Sequence, residues 1–335
     1  MKVYDWNKSL WDRLNVRRPS LPHALLLRGP KGVGKRDFAQ ALAASLLCRT
    51  PTAHGSSCGE CASCRWFAAG NHPDFRWIQP EAATAVEGEG DSAPATSSRK
   101  PSKLIRIDQA RELGSWLSVG AHQGGFRVAI INPAEAMNLA TANALLKTLE
   151  EPPPRTVLLL VSHAANQLLA TIRSRCFALD FRVPDTRDAA RWLDGQGIAA
   201  PQAALALAGG APLAARDGAE RLITSHALIA ALAAPRLDPI LTAANFRANP
   251  LPDVIDLLQR WTIDLAHTLA GLPIRYYPDA VRDLERSGRG VDLARVIGFH
   301  RRLLDARQMA EHPLAPQLVL EELFVEYTRL RKSHA

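Results

Sequence analysis

The stretch that most restricts the fold is an apolar run that breaks into a glycine-rich turn. His23-Ala24-Leu25-Leu26-Leu27 leads almost directly into Gly29-Pro30-Lys31-Gly32-Val33-Gly34-Lys35, and from Asp37 to Leu47 apolar residues recur at helical spacing. A buried strand, a turn of the form G-x4-G-K and a helix, in that order, open a βαβ unit, and such units build parallel sheets covered by helices. The rest of the first half agrees. Asp74–Gln79, Phe126–Ile131 and Thr156–Val161 read as further strands, and Cys176–Phe181 as a fifth. A helix is expected over Ala134–Glu151, stopped by Pro152-Pro153-Pro154, and a short one over Gln167–Ile172.

After Pro184 the strand signals stop. Thr186–Leu193, Gln202–Ala208 and Pro212–Ala227 read as short helices, and Pro252–Leu272, Gly290–Gln308 and Ala315–Lys332 as longer ones. Leu257, Leu258, Trp261, Leu265 and Leu269 form one apolar stripe. The expected layout is an α/β domain over 1–182, a helical domain over 183–235 and a larger helical domain over 236–335. Residues 80–103, rich in Ala, Glu, Gly, Ser, Thr and Pro, read as a disordered surface insertion. At roughly 100–200 residues per domain, 335 residues suit this division.

The G-x4-G-K segment suits phosphate. Glycines turn backbone N–H groups toward the anion, the helix N-terminus adds positive potential, and Lys35 reaches the outer phosphates. Candidate phosphate-binding residues are therefore Gly29, Gly32, Gly34 and Lys35. A Ser or Thr should follow the lysine to hold Mg²⁺, but Arg36 stands there. The neighbouring strand should end in an acid, but Asn132-Pro133 stands there instead, read as an N-cap and first helical turn. Glu135 reads as a first-turn acid of that helix. The motif alone leaves two readings open: a phosphate cradle, or a strand–helix turn that holds nothing.

Cys58-Gly59-Glu60-Cys61-Ala62-Ser63-Cys64 is C-x2-C-x2-C, and Cys48 lies ten positions upstream. Four thiolates at these spacings suit a tetrahedral structural Zn²⁺ held by Cys48, Cys58, Cys61 and Cys64. A ferredoxin-type cluster wants another Cys just beyond Cys64, where the chain reads Arg65-Trp66-Phe67-Ala68. Trp66 and Phe67 read as core residues that pack this module on its domain, and Cys176 as a buried strand residue. The N-terminus carries charges where a signal peptide needs an apolar core, and no run of about 20 apolar residues occurs. The expected compartment is the cytoplasm. The formal charge of +8 permits contact with nucleic acid without demanding it.

Three segments together resemble a known family. Asn143-Ala144-Leu145-Leu146-Lys147-Thr148-Leu149-Glu150-Glu151-Pro152-Pro153, Ser174-Arg175-Cys176 and the four-cysteine module inserted after the first helix are similar to the AAA+ clamp-loader subunits of bacterial DNA polymerase III, of the gamma/tau and delta-prime types. The resemblance covers roughly residues 20–182. It implies a RecA-like AAA+ domain with an inserted zinc module over 48–64, then an all-α lid and an all-α collar that serves oligomerisation. The departures at Arg36, Asn132 and Pro133 resemble the non-hydrolysing delta-prime type. So does Leu213, where the lid's nucleotide-sensing Arg is expected, with Arg216 three residues late. The family implies a heteropentamer with gamma/tau and delta subunits that loads a sliding clamp onto primed DNA during replication. It also implies that Arg175 is an arginine finger offered in trans to a neighbouring ATPase site, with its own site vestigial and ATP or ADP binding left open. Read from the residues alone, an active AAA+ ATPase and a zinc-dependent nucleic-acid-binding module remain as alternatives. So does a structural Arg175 that caps helix carbonyls or pairs with Asp180.

Overall fold

The computed structural model describes residues 2–83, 101–122, 125–310 and 315–331. The chain divides into two compact units, on either side of Val183 and Pro184.

In the first unit, helix α1 (Lys8–Val16) precedes strand β1 (Ala24–Arg28), then α2 (Lys35–Leu47), α3 (Ala62–Ala68) and β2 (Phe75–Ile78). Helix α4 (Ile107–Ser118), β3 (Arg127–Ile131), α5 (Leu139–Glu150), β4 (Thr156–Ser162), α6 (Ala170–Arg175) and β5 (Phe177–Asp180) complete it. The five strands form one parallel sheet in the order β2-β3-β4-β1-β5. β3 and β4 are buried along their whole length, as strands covered on both faces must be. Leu26, Ala129, Leu158 and Leu160 on one face of the sheet meet Leu113 and Leu117 of α4 and Leu145 and Leu149 of α5.

Three expectations need correcting here. The helix read over Ala134–Glu151 is two pieces: a 3-10 turn at Ala134–Ala136, then α5 from Leu139. Pro133 has an extended backbone (φ −80°, ψ 143°) and the Asn132 side-chain oxygen accepts no hydrogen bond, so Asn132 caps nothing. Asn138 is the real N-cap, its side chain accepting from Thr141 N. The helix read over Gln167–Ile172 instead runs Ala170–Arg175, because Ala165–Gln167 closes its own 3-10 turn and Leu168 and Leu169 are extended. Cys176 is half-buried and precedes β5, and burial pushes its thiol up to about 11. Most of the 80–103 insertion lies outside the described residues. Its two ends meet: Ala82 N donates to Ser102 O, and Glu81 pairs with Arg106.

The second unit is helical: α7 (Thr186–Asp194), α8 (Pro201–Leu207), α9 (Pro212–Asp217), α10 (Arg221–Ala233), α11 (Pro239–Phe246), α12 (Leu251–Leu269), α13 (Val281–Gly288), α14 (Leu293–Met309) and α15 (Pro316–Arg331). The single helix read over Pro212–Ala227 is split at Gly218, and α11 and α13 had no counterpart in the sequence reading. A small apolar cluster joins α7, α8 and α9. A larger one centres on the stripe of α12, where Trp261 is fully buried and donates to the Tyr327 hydroxyl at 2.9 Å. Asp264, also fully buried, accepts from the backbone N–H groups of Arg275, Tyr276 and Tyr277 at 2.7–2.9 Å. No helix among the described residues is long and apolar enough to cross a membrane.

Candidate functional site: phosphate loop, cysteine cluster and Arg175

The loop Gly29–Gly34 joins β1 to α2 and so lies at the carboxyl edge of the sheet, where open α/β sheets place their ligands. Its glycines are required by geometry. A Cβ at Gly29 (φ +147°) would stand 2.1 Å from Phe181 O, and Gly34 (φ +89°) caps α2 in the left-handed region against the Tyr4 ring. The N-terminal segment holds the loop from outside: Trp6 Nε1 and Asn7 Nδ2 both donate to Val33 O, at 3.1 and 2.9 Å.

Lys35 is only 2% exposed. Its Nζ donates to Gly29 O at 2.6 Å and Pro30 O at 2.5 Å, so the ammonium is engaged by carbonyls of its own loop. Burial pushes it down to about 8, while the charge of Glu135 acts in the opposite direction. Arg36 packs its guanidinium over the Trp77 ring of β2 at 5.0 Å. Glu135 is not a first-turn acid of α5. Its Oε1 accepts from His163 N at 2.9 Å, bridging the segments that follow β3 and β4. Burial, followed by the charge of Lys35, pushes His163 down to about 4, so its imidazole is neutral at pH 7. Asn132 Oδ1, Glu135 Oε2, Ser162 Oγ and His163 Nδ1 are buried at these strand ends without a hydrogen-bond partner. The edge thus retains buried polar groups, but neither Arg36 nor Asn132 supplies a hydroxyl or carboxylate for Mg²⁺.

The four cysteines converge. Their sulfurs all lie within 4.8 Å of one another, with Cys48–Cys58 at 3.6 Å, Cys58–Cys64 at 3.8 Å and Cys48–Cys61 at 3.9 Å. Ligands about 2.3 Å from a tetrahedral Zn²⁺ stand about 3.8 Å apart, so the spacing fits such an ion. A disulfide needs about 2.05 Å. Cys48 terminates α2, and Cys61 is the N-cap of α3, its sulfur accepting from Cys64 N at 3.4 Å. Cys58 N donates to Cys48 Sγ and Cys61 N to Cys58 Sγ. The Thr50 hydroxyl and backbone N–H groups push the Cys58 thiol down to about 6, whereas burial pushes Cys64 up to about 12. A cation placed among them would allow all four to ionise. The module is anchored from below by a buried chain: Ser63 Oγ donates to Leu47 O at 2.5 Å and meets His72 Nε2 at 2.7 Å, and Asp74 N donates to His72 Nδ1. Phe67 is buried against Phe75 as expected, while Trp66 remains 38% exposed beside His72.

Arg175 is the last residue of α6. Nη1 donates to Thr171 O at 3.0 Å and Nη2 pairs with Glu150 Oε1 at 2.7 Å. Asp180, the partner considered from sequence, binds Arg28 instead, with Nε–Oδ1 at 2.6 Å. In the second unit Leu213 is buried in α9, and Arg216 lies over the Trp192 ring and pairs with Asp217.

The family model described as "DNA polymerase III, delta subunit" matches residues 8–185, more than half of the chain. DNA polymerase III subunit delta' of Pseudomonas aeruginosa is 35% identical, over 98% of this chain and 98% of its own. The chain belongs to the delta-prime family of DNA polymerase III subunits. The delta' subunit of Yersinia pestis is 41% identical over 60% of this chain and 55% of its own. Among solved structures, a DNA polymerase III gamma subunit-related protein from Thermotoga maritima covers 96% of this chain at 17% identity and a TM-score of 0.44, too loose a likeness to carry an argument.

As a delta-prime family member, the chain brings the loop glycines, Lys35, Glu135 and His163 to one sheet edge and the four cysteines to one point. Arg175 stands at the end of α6, beside the end of α5. Sequence reasoning missed the ties of Tyr4, Trp6 and Asn7 to the loop and the bond between Glu150 and Arg175. Aromatic residues near an N-terminus carry no signal of what they cover. Glu150 lies 25 positions from Arg175, too far for any local pattern to join them.

Proposed function

We propose that this delta-prime family member is a non-hydrolysing clamp-loader subunit that completes a neighbour's ATPase site with Arg175. The observation that carries this reading is the state of its own loop. Gly29, Gly32, Gly34 and Lys35 retain the cradle, yet Lys35 is engaged by loop carbonyls and the Mg²⁺-holding groups are replaced by Arg36, Asn132 and Pro133. Those residues do not fit a hydrolysable Mg²⁺-nucleotide, and whatever ATP or ADP binding remains there is not catalytic. Arg175 is held at the end of a helix, 36% exposed and available to another chain, where a guanidinium offsets charge developing on a transferring phosphoryl group.

In this reading the first unit is the AAA+ domain, α7–α10 the lid and α11–α15 the collar that meets gamma/tau and delta subunits in a heteropentamer. The complex loads the sliding clamp onto primed DNA in the cytoplasm, and this chain's contact with DNA runs through the complex. Cys48, Cys58, Cys61 and Cys64 hold one structural Zn²⁺, all four positions being filled by protein. The purified chain alone is expected to hydrolyse no ATP above background while the assembled complex does. Turnover by the chain alone would overturn the reading in favour of an active ATPase.

A further inference from the structure

Glu150 is placed against its own helix's interest. It is the last residue of α5, where an acid meets the negative end of the helix dipole. A surface acid gains nothing there unless something else holds it, and Arg175 does, at 2.7 Å. The same guanidinium is held on its other side by Thr171 O at 3.0 Å. Arginine has five N–H donors in a planar fork. These anchors at Nη1 and Nη2, with a longer contact from Nη1 to Ser174 Oγ at 3.5 Å, fix the plane of the fork and leave the remaining donors, Nε–H among them, for another acceptor. A free Arg side chain loses much rotamer entropy when it is ordered, and anchors that order it beforehand remove that cost from the reacting complex. Glu151, the next residue, has no ion pair among the described residues and supplies an internal control.

We propose that Glu150 is the positioning residue for Arg175: it holds the guanidinium ready for the phosphoryl group of the neighbouring subunit's site. This rests on the reading that Arg175 acts in trans. It concerns the aim of the side chain and not its chemistry, since Glu150 touches no substrate. An exposed ion pair of this kind is weak, so the effect on turnover is about 2–5-fold, far below loss of the arginine itself.

The test uses the complex assembled with wild-type partners in which only the adjoining ATPase site is competent, reading kcat and KM for ATP separately. Glu150→Ala should lower kcat about 2–5-fold with KM unchanged. Glu150→Gln, whose amide oxygen still accepts from Nη2, should recover most of it, and Glu151→Ala should change nothing. In the Arg175→Ala background, Glu150→Ala should have no further effect. The proposal is overturned if Arg175→Ala lowers kcat and Glu150→Ala leaves it unchanged or raises it. It is equally overturned if Gln is as impaired as Ala, or if Glu150→Ala acts undiminished without Arg175. Loss of assembly in Glu150→Ala but not in Glu150→Gln would make Glu150 structural. If Arg175→Ala itself leaves kcat unchanged, the in trans reading falls and this inference with it.

Discussion

Replacing Cys61 by serine isolates the contribution of a metal from that of the chain. The Cys61 sulfur has two tasks: it converges with the other three sulfurs, and it caps α3 by accepting from Cys64 N. Serine is among the best N-caps, so Cys61→Ser keeps the cap and removes the thiolate. Hydrogen bonds to neighbouring residues then hold 49–60. Trp11 and Asn15 donate to His54 O, Arg18 and Ser45 to Gly55 O, Arg65 to Glu60 O, Cys58 N to Cys48 Sγ and Cys61 N to Cys58 Sγ. At about 0.5–1.5 kcal/mol each these supply roughly 4–10 kcal/mol. Ordering twelve residues costs about 1–2 kcal/mol apiece, or roughly 12–24 kcal/mol. Structural zinc, on the order of 10–16 kcal/mol in finger peptides, is the size of the gap. The apolar cluster that packs α4 and α5 on β1, β3 and β4 draws no residue from the module, so loss of zinc should loosen 49–60 and leave that side of the sheet folded. Elemental analysis should find one zinc per wild-type chain and none in Cys61→Ser. Limited trypsinolysis should cut the variant after Arg49 while the rest of the first unit survives. Full zinc occupancy in the variant, or identical cleavage of the two proteins, would refute the reasoning.

Other outcomes follow from the same geometry. Zinc binding displaces protons from the thiols, so affinity should fall as pH falls. The fall should steepen below about 6, where Cys58 also takes up its proton, and a chelator titration across pH 5–8 with a constant slope would contradict this. Lys35→Ala should leave clamp loading by the assembled complex nearly unchanged, because the hydrogen bonds of Lys35 go to Gly29 O and Pro30 O of its own loop; a loss as large as that from mutating a catalytic subunit's loop lysine would sink the vestigial reading. Asp264→Ala strands three backbone N–H groups in the α12 core and should cost at least about 3 kcal/mol, seen as a lower midpoint in urea; an unchanged midpoint would show that the second unit does not depend on that carboxylate.

Strands β1, β3 and β4 were legible because each is a short aliphatic run that the sheet buries, whereas the edge strands β2 and β5 are shorter, carry aromatic and charged residues and are partly exposed, so their signal was weaker. The cysteine cluster was legible because spacing alone brings thiols together. Boundaries set by side chains from elsewhere were not. Asn132-Pro133 has the composition of a helix start, but the extended backbone at Pro133 delays the helix to Asn138. Glu135 reads as a dipole acid from its position, yet it serves a backbone N–H beyond the next strand. In the helical half, α11 and α13 are only eight residues each and gave too little periodicity to stand out, although both pack on the cluster around α12.

The central claim is that this chain supplies chemistry to a neighbour while performing none itself, and Arg175→Ala tests it most directly. The variant is assembled with wild-type partners, beside Arg173→Ala as a nearby-charge control. The ion pair with Glu150 is exposed, so its loss costs at most about 1 kcal/mol and assembly should be intact. Arginine fingers are worth about 10³–10⁵ in rate, or about 4–7 kcal/mol of barrier, at the site they serve. Only one of several sites is served, so total ATP hydrolysis should fall in part while clamp loading falls further. Wild-type loading by Arg175→Ala, or equal effects of the Arg175 and Arg173 changes, would contradict the account.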